Sequence, residues 1–110
     1  GDEDGDLISV DPRFKRTSSG FVKSRHIDDK DMVAAVIEVL RQLKEENLTP
    51  AYNTLFAFPI FEEIGHGGAY VPSEVSEYVA LDIGLIGPDN HGSEKTVSIG
   101  ASDNYSPYDW

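Results

Sequence analysis

Two carboxylates, Glu62 and Glu63, stand side by side directly after seven unbroken apolar residues in "LFAFPIFEEIGHGG", residues 55–68. A second acidic pair, Asp28 and Asp29, lies between "FVKSRHI" and an amphipathic run, and a lone Asp82 sits within the apolar stretch "YVALDIGLIG". Carboxylates in such company could hold divalent cations, or one member could stay protonated and work as an acid or base. Two ionised carboxylates about 4 Å apart repel by roughly 4 kcal/mol near a protein surface, against about 1 kcal/mol in bulk water. A partly buried cluster therefore needs a cation or a proton. The competing explanation is that each acid is solvated at a loop edge of an acidic chain. Asp at a helix start is common enough to account for Asp28 and Asp29 taken alone. Glutamate is a poor tail for so apolar a strand, so Glu62 and Glu63 weigh more towards a site, with Asp82 evenly balanced.

Other chemistries fail on spacing. His26, His66 and His91 lack the close pairing of a zinc motif such as H-E-x-x-H. Each reads as a supporting or surface residue rather than a ligand, although His66 is nearest to the carboxylates in sequence. "GHGGAY" departs from a dinucleotide-binding turn at Tyr70 and carries no phosphate-binding lysine. An EF-hand beginning at Asp2, Asp4 and Asp6 would need glycine where Leu7 stands and glutamate where Arg13 stands. There is no cysteine, which excludes disulfides, thiolate zinc sites and a cysteine nucleophile, and which fits the cytoplasm.

Nine Lys and Arg against twenty Asp and Glu give a net charge of −11. That balance argues against nucleic acid or an anionic membrane as partner, since both demand clustered cations. The run 55–61 is far short of the ~20 residues of a membrane helix. At 110 residues the chain is at most one ordinary domain. It opens without an initiator Met and stops at Trp110 without a closing element, so an excised piece of a longer protein is expected.

The elements that must position these acids follow from periodicity. "LISVDP" and "GFVKSR" alternate around the turn-rich "RTSSG", which predicts two short antiparallel strands. A helix is expected from near Asp29 through "KDMVAAVIEVLRQLKEEN". Val33, Val36, Ile37, Leu40 and Leu43 form one apolar stripe along it, and "NLTP" ends it. Acids at 28, 29 and 31 suit the positive end of its dipole. Residues 55–61 read as a strand buried on both faces, as in a parallel sheet, with Pro59 awkward in a central ladder. "PSEVSEY" suggests a short helix capped by Ser73, and "YVALDIGLIG" and "KTVSIGAS" suggest two further strands. The sum is an α/β fold, a sheet covered by helices. In such sheets ligands bind beyond the carboxyl ends of the strands, and if the strands are parallel Asp28, Asp29, Glu62, Glu63 and Asp82 converge there.

In order and spacing, "SRHIDDK" with its amphipathic helix, "FEEIGHGG", "VALDIG" and "SEKTVSIGASDNYSPYDW" resemble the co-catalytic metallo-aminopeptidases of the glutamyl aminopeptidase and tetrahedral aminopeptidase type. The resemblance covers about residues 6–110. It implies a partial three-layer α/β/α sandwich with a mostly parallel sheet, preceded by a short β-hairpin. Residues 1–25 would be an acidic lead and the tail of an inserted β-barrel domain, and 26–110 an interior part of the catalytic domain. It implies that Asp28 bridges two metal ions and is followed by a cis peptide bond, that Glu62 is the general base, and that Glu63 and Asp82 each bind a metal. Two divalent ions, zinc or cobalt first, would be the cofactors, which suits hard carboxylates. A peptide would be the substrate, and the intact protein a homo-oligomer.

The chain departs from the family in lacking the upstream His-x-Asp and the downstream His that complete the metal pair. Phe61 stands where relatives often have a polar residue, and "YSPYDW" only approximates the family's glycine-containing version. The isolated stretch is therefore expected to be inactive. The alternative is a relative that kept the fold and serves as a binding or assembly module. A glycosidase using Glu62 is disfavoured, because adjacent glutamates on one strand cannot flank a sugar from opposite sides.

Overall fold

A computed structural model describes residues 3–104 and 106–108. Asp2 of the acidic lead and Tyr105, Asp109 and Trp110 of the closing "YSPYDW" lie outside the described residues.

The chain begins with a hairpin, β1 (Lys15–Arg16) antiparallel to β2 (Val22–Lys23), with Lys15 opposite Lys23 and Arg16 opposite Val22. Its loop is built by the residues that a tight turn requires. The Thr17 amide donates to the Phe21 carbonyl at 2.7 Å, and Gly20 takes the left-handed conformation at φ 93°. Only glycine enters that region without steric cost. The Thr17 hydroxyl accepts from the Phe21 amide at 2.9 Å and so ties the loop's two ends. The Arg25 amide donates to the Pro12 carbonyl at 2.7 Å, so three steps on one strand oppose two on the other. The surplus residue is absorbed around Arg13, at φ 50°, whose amide bonds the Asp11 carboxylate. The strand expected over "LISVDP" is thus displaced. The residues next to the loop take the pairing, and Leu7 and Ile8 stay exposed.

Helix α1 (Ile27–Glu45) follows, with its regular torsions starting only after Asp28 and Asp29, whose ψ values are 113° and 42°. The peptide bond between those two is cis. The helix closes on Asn47, left-handed at φ 54°. The Leu48 amide reaches back to the Leu43 carbonyl at 2.8 Å and the Asn47 amide to Lys44 at 3.3 Å. This paired arrangement satisfies carbonyls that a helix end otherwise leaves open. On the outer face Arg41 grips Glu38 through two bonds, of 2.7 and 2.5 Å, and also pairs with Glu45.

Beyond α1 the only further helical piece among the described residues is η1 (Glu62–Ile64), a single 3₁₀ turn. Residues 55–61, 79–86 and 95–99 run without ladder hydrogen bonds. "PSEVSEY" forms one turn, with the Val75 amide on the Pro72 carbonyl at 3.1 Å, instead of a helix. Seven residues are too few to nucleate a helix without packing.

No described residue is buried, and the radius of gyration is 17.5 Å, against about 13 Å for a compact domain of this length. The nearest approach to a core is a set of half-buried side chains, Met32 and Val36 on α1 and Phe56 opposite them, along one cleft.

Candidate metal centre

Four separate segments bring acids to that cleft, an open cavity of about 1000 Å³, with Asp103 on its far wall. The entry to α1 contributes Asp28 and Asp29, η1 contributes Glu62 and Glu63, and the apolar run after Tyr78 contributes Asp82. The apolar side of α1, with Met32, Val33 and Val36, forms the wall beneath them. All four acids singled out from the sequence therefore line one cavity.

Adjacent residues of an extended strand point to opposite faces, so Glu62 and Glu63 could share a site only if the chain turned there. It does. The 3₁₀ turn starts at Glu62, and Gly65, left-handed at φ 80°, ends it with its amide on the Glu62 carbonyl at 2.8 Å.

The tightest grouping is Asp28, Asp29 and Asp82, each with a carboxylate oxygen within 4.8 Å of the others. Glu63 lines the same cleft outside that trio. Asp29 is the residue that sequence reasoning missed, having entered it only as the partner of Asp28 in the acidic pair. Its Oδ1 is enclosed and has no hydrogen-bond partner. Burial, helped by the neighbouring charges of Asp82 and Asp31, lifts its carboxyl to about 6. No signal in composition or periodicity marks Asp29 as the enclosed member of the pair.

Glu63 is also raised, first by the charge of Asp28, then by burial and by Glu62 and Asp82, with Lys30 opposing. Asp82 spends one oxygen on the Ile83 amide at 2.6 Å. On the far wall the Tyr108 hydroxyl faces Asp103 Oδ2 at 3.4 Å, and burial with the charges of Asp103 and Asp82 raises the phenol.

This is an excess of negative charge held without enough cations. Hard oxygen donors, one of them an enclosed orphan, fit a divalent cation. Among the described residues no histidine lines the cleft: His26 borders a smaller groove against the hairpin, and His66 and His91 are exposed. The donor set is therefore all carboxylate. Together Asp28, Asp29 and Asp82 could hold a cation, and Glu62 lines the same cleft.

The sequence model of a family described as M42 glutamyl aminopeptidase matches residues 1–110. Among curated proteins, "Putative aminopeptidase YhfE" of Bacillus subtilis strain 168 is 44% identical over 105 residues, which cover 94% of this chain and 30% of the relative. The chain thus spans less than a third of that relative's length. No solved structure matches the chain.

Proposed function

The chain belongs to the M42 glutamyl aminopeptidase family, and from that premise we propose that the intact protein is a metal-dependent aminopeptidase removing N-terminal residues from peptides. The observation that carries this reading is the convergence of six acids from four separate segments on one cleft, Asp28, Asp29, Glu62, Glu63 and Asp82 with Asp103 on the far wall. In the intact fold we take residues 26–110 as part of a three-layer α/β/α catalytic domain and residues 1–25 as the tail of an inserted β domain.

Asp28, Glu63 and Asp82 are the proposed ligands of two divalent ions, zinc or cobalt first, with the Asp29 carboxylate as a further donor at the same point. When bound, such ions polarise a carbonyl and acidify a water. The chain's own part is proton handling and placement. Glu62 takes the proton from the attacking water and returns it to the departing amine, a role worth about 10²–10⁴ in rate. The turn after Phe61 keeps that base next to a ligand, and Lys30 moderates the negative field at Glu63.

Peptides are the proposed substrates, and the intact protein is proposed to be a cytoplasmic homo-oligomer without nucleic-acid or membrane partners. The charge of −11 supports the last part, the lack of nucleic-acid or anionic-membrane partners; among the described residues no helix is long and apolar enough to cross a membrane. The experiment is hydrolysis of aminoacyl-nitroanilides by the full-length protein loaded with zinc or cobalt, alongside the purified 110-residue stretch. Turnover is expected from the first and none from the second. A full-length protein that binds metal yet cleaves no N-terminal residue would sink the enzymatic reading. The rival, a non-catalytic binding or assembly module, is favoured by the cleft's carboxylate donors, with no histidine among the described residues that line it.

A further inference from the structure

Gly67 follows η1 by three residues, and nothing larger than hydrogen fits on it. A Cβ at Gly67 would lie 2.8 Å from both Cβ and Cγ of Glu62 and 2.9 Å from its Cα. Carbon atoms in contact stand about 3.5–4.0 Å apart, so that methyl would overlap the glutamate stem. The obstruction includes backbone, which cannot swing aside as the tip of a long side chain can. Torsion does not explain this glycine. Gly65 holds the left-handed conformation of the turn, while Gly67 has an ordinary φ. Gly68, the next residue, has nothing within 4 Å of its own Cβ position. The approach is built by the turn itself. The His66 amide reaches the Phe61 carbonyl at 3.0 Å and the Ala69 amide reaches His66 at 3.3 Å, which folds the glycine back over Glu62.

We propose that Gly67 is a positioning residue for Glu62. Its bare backbone seats the glutamate stem and so fixes where the carboxylate stands in the cleft beside Asp28 and Asp82. The inference rests on the proposed reading of Glu62 as the general base. A methyl at position 67 must displace the stem, and misplacing a catalytic group by about 1 Å can cost on the order of 10²-fold in rate.

The test uses the full-length, metal-loaded protein and aminoacyl-nitroanilide hydrolysis, with Gly67→Ala, Glu62→Gln and the double variant. Metal content is measured for each. Gly67→Ala is expected to lower kcat about 10–100-fold, with KM and metal content nearly unchanged. Glu62→Gln is expected to lower kcat about 10²–10⁴-fold. The double variant should be no slower than Glu62→Gln alone, because a base that is gone has no position to lose. Losses that multiply in the double variant, or a fully active Gly67→Ala beside a disabled Glu62→Gln, overturn the positioning role and leave the base reading intact. Full activity in Glu62→Gln overturns the base reading and the positioning role with it. Should Gly67→Ala not yield folded protein, a crystal structure of the full-length wild type decides. A Cβ built on Gly67 that clears every Glu62 atom by more than about 4 Å overturns the proposal, and an approach closer than ordinary carbon contact supports it.

Discussion

Two places along helix α1 treat the same chemical group in opposite ways. On its outer face Glu38 accepts two bonds from Arg41 and one from Gln42, and these hold its carboxyl down to about 2. At its entry Asp29 meets other acids and an enclosing wall, and its carboxyl rises to about 6. The first group is complete as it stands. The second is an arrangement whose charge is balanced only by a proton or a cation. What separates them is the surroundings: an arginine one turn away for Glu38, and for Asp29 burial first, then Asp31 on the same helix and the charge of Asp82.

That contrast can be broken most severely at the cleft. Asp28→Asn and Asp82→Asn in the full-length protein are expected to abolish peptide hydrolysis together with metal retention, read by activity and metal analysis of the same samples. Because Asp28 is the largest cause of the raised Glu63 carboxyl, Asp28→Asn should also lower the Glu63 titration midpoint in cation-free protein, followed by carboxyl-carbon NMR. An unmoved midpoint would mean that the two carboxylates do not sense each other.

A middle-sized effect is expected from Asp29→Asn. Its carboxyl stands near 6 in the folded chain against about 3.9 unfolded, so the folded state holds the extra proton between those values. Its stabilising contribution is complete below pH ~4 and is lost as pH rises through ~6. The thermal midpoint of cation-free protein should fall over that window, and Asp29→Asn should flatten the fall. A slope that survives the substitution would assign it to another group.

The smallest effect belongs to the paired site in mid-helix. Arg41→Ala removes an exposed network, so it should leave hydrolysis untouched and lower the thermal midpoint only slightly, less so in high salt. With Glu38 held down, that contribution is present above its unfolded midpoint near pH ~4.3 and is lost as pH falls towards ~2. A large loss of activity here would erase the distinction between the two places.

What was legible in the sequence was local. The stripe from Val33 to Leu43 and the acids before it mark a helix whose regular part begins after Asp29, and "NLTP" marks its end at Asn47. "RTSSG" marks the hairpin turn because Gly20 must be left-handed. Asp28, Glu62, Glu63 and Asp82 do line one cleft, but without, among the described residues, the parallel strand ends at which they were expected to meet. Harder to read was whatever depends on distant partners. Strand pairing is decided by neighbours rather than by the segment itself, so "LISVDP" alternates like a strand yet loses its pairing to Lys15 and Arg16. Residues 55–61 and 79–86 have strand composition without a ladder among the described residues, and the sandwich they would build stays a proposal. The inward turn of Asp29 escaped because composition says nothing of side-chain direction where helical torsions break.

The acids of the cleft belong to segments that no backbone ladder joins. Asp29 lies at the mouth of a helix stitched by its own hydrogen bonds, and Asp82 lies on a stretch with none. A cation shared between them would be a cross-link across roughly fifty residues of chain, removing loop entropy that only grows slowly with length. Occupancy would then be read in amide exchange: the helix slow with or without the ion, and the stretch around Asp82 slow only while the ion is bound. Binding and local order at Asp82 would be one equilibrium.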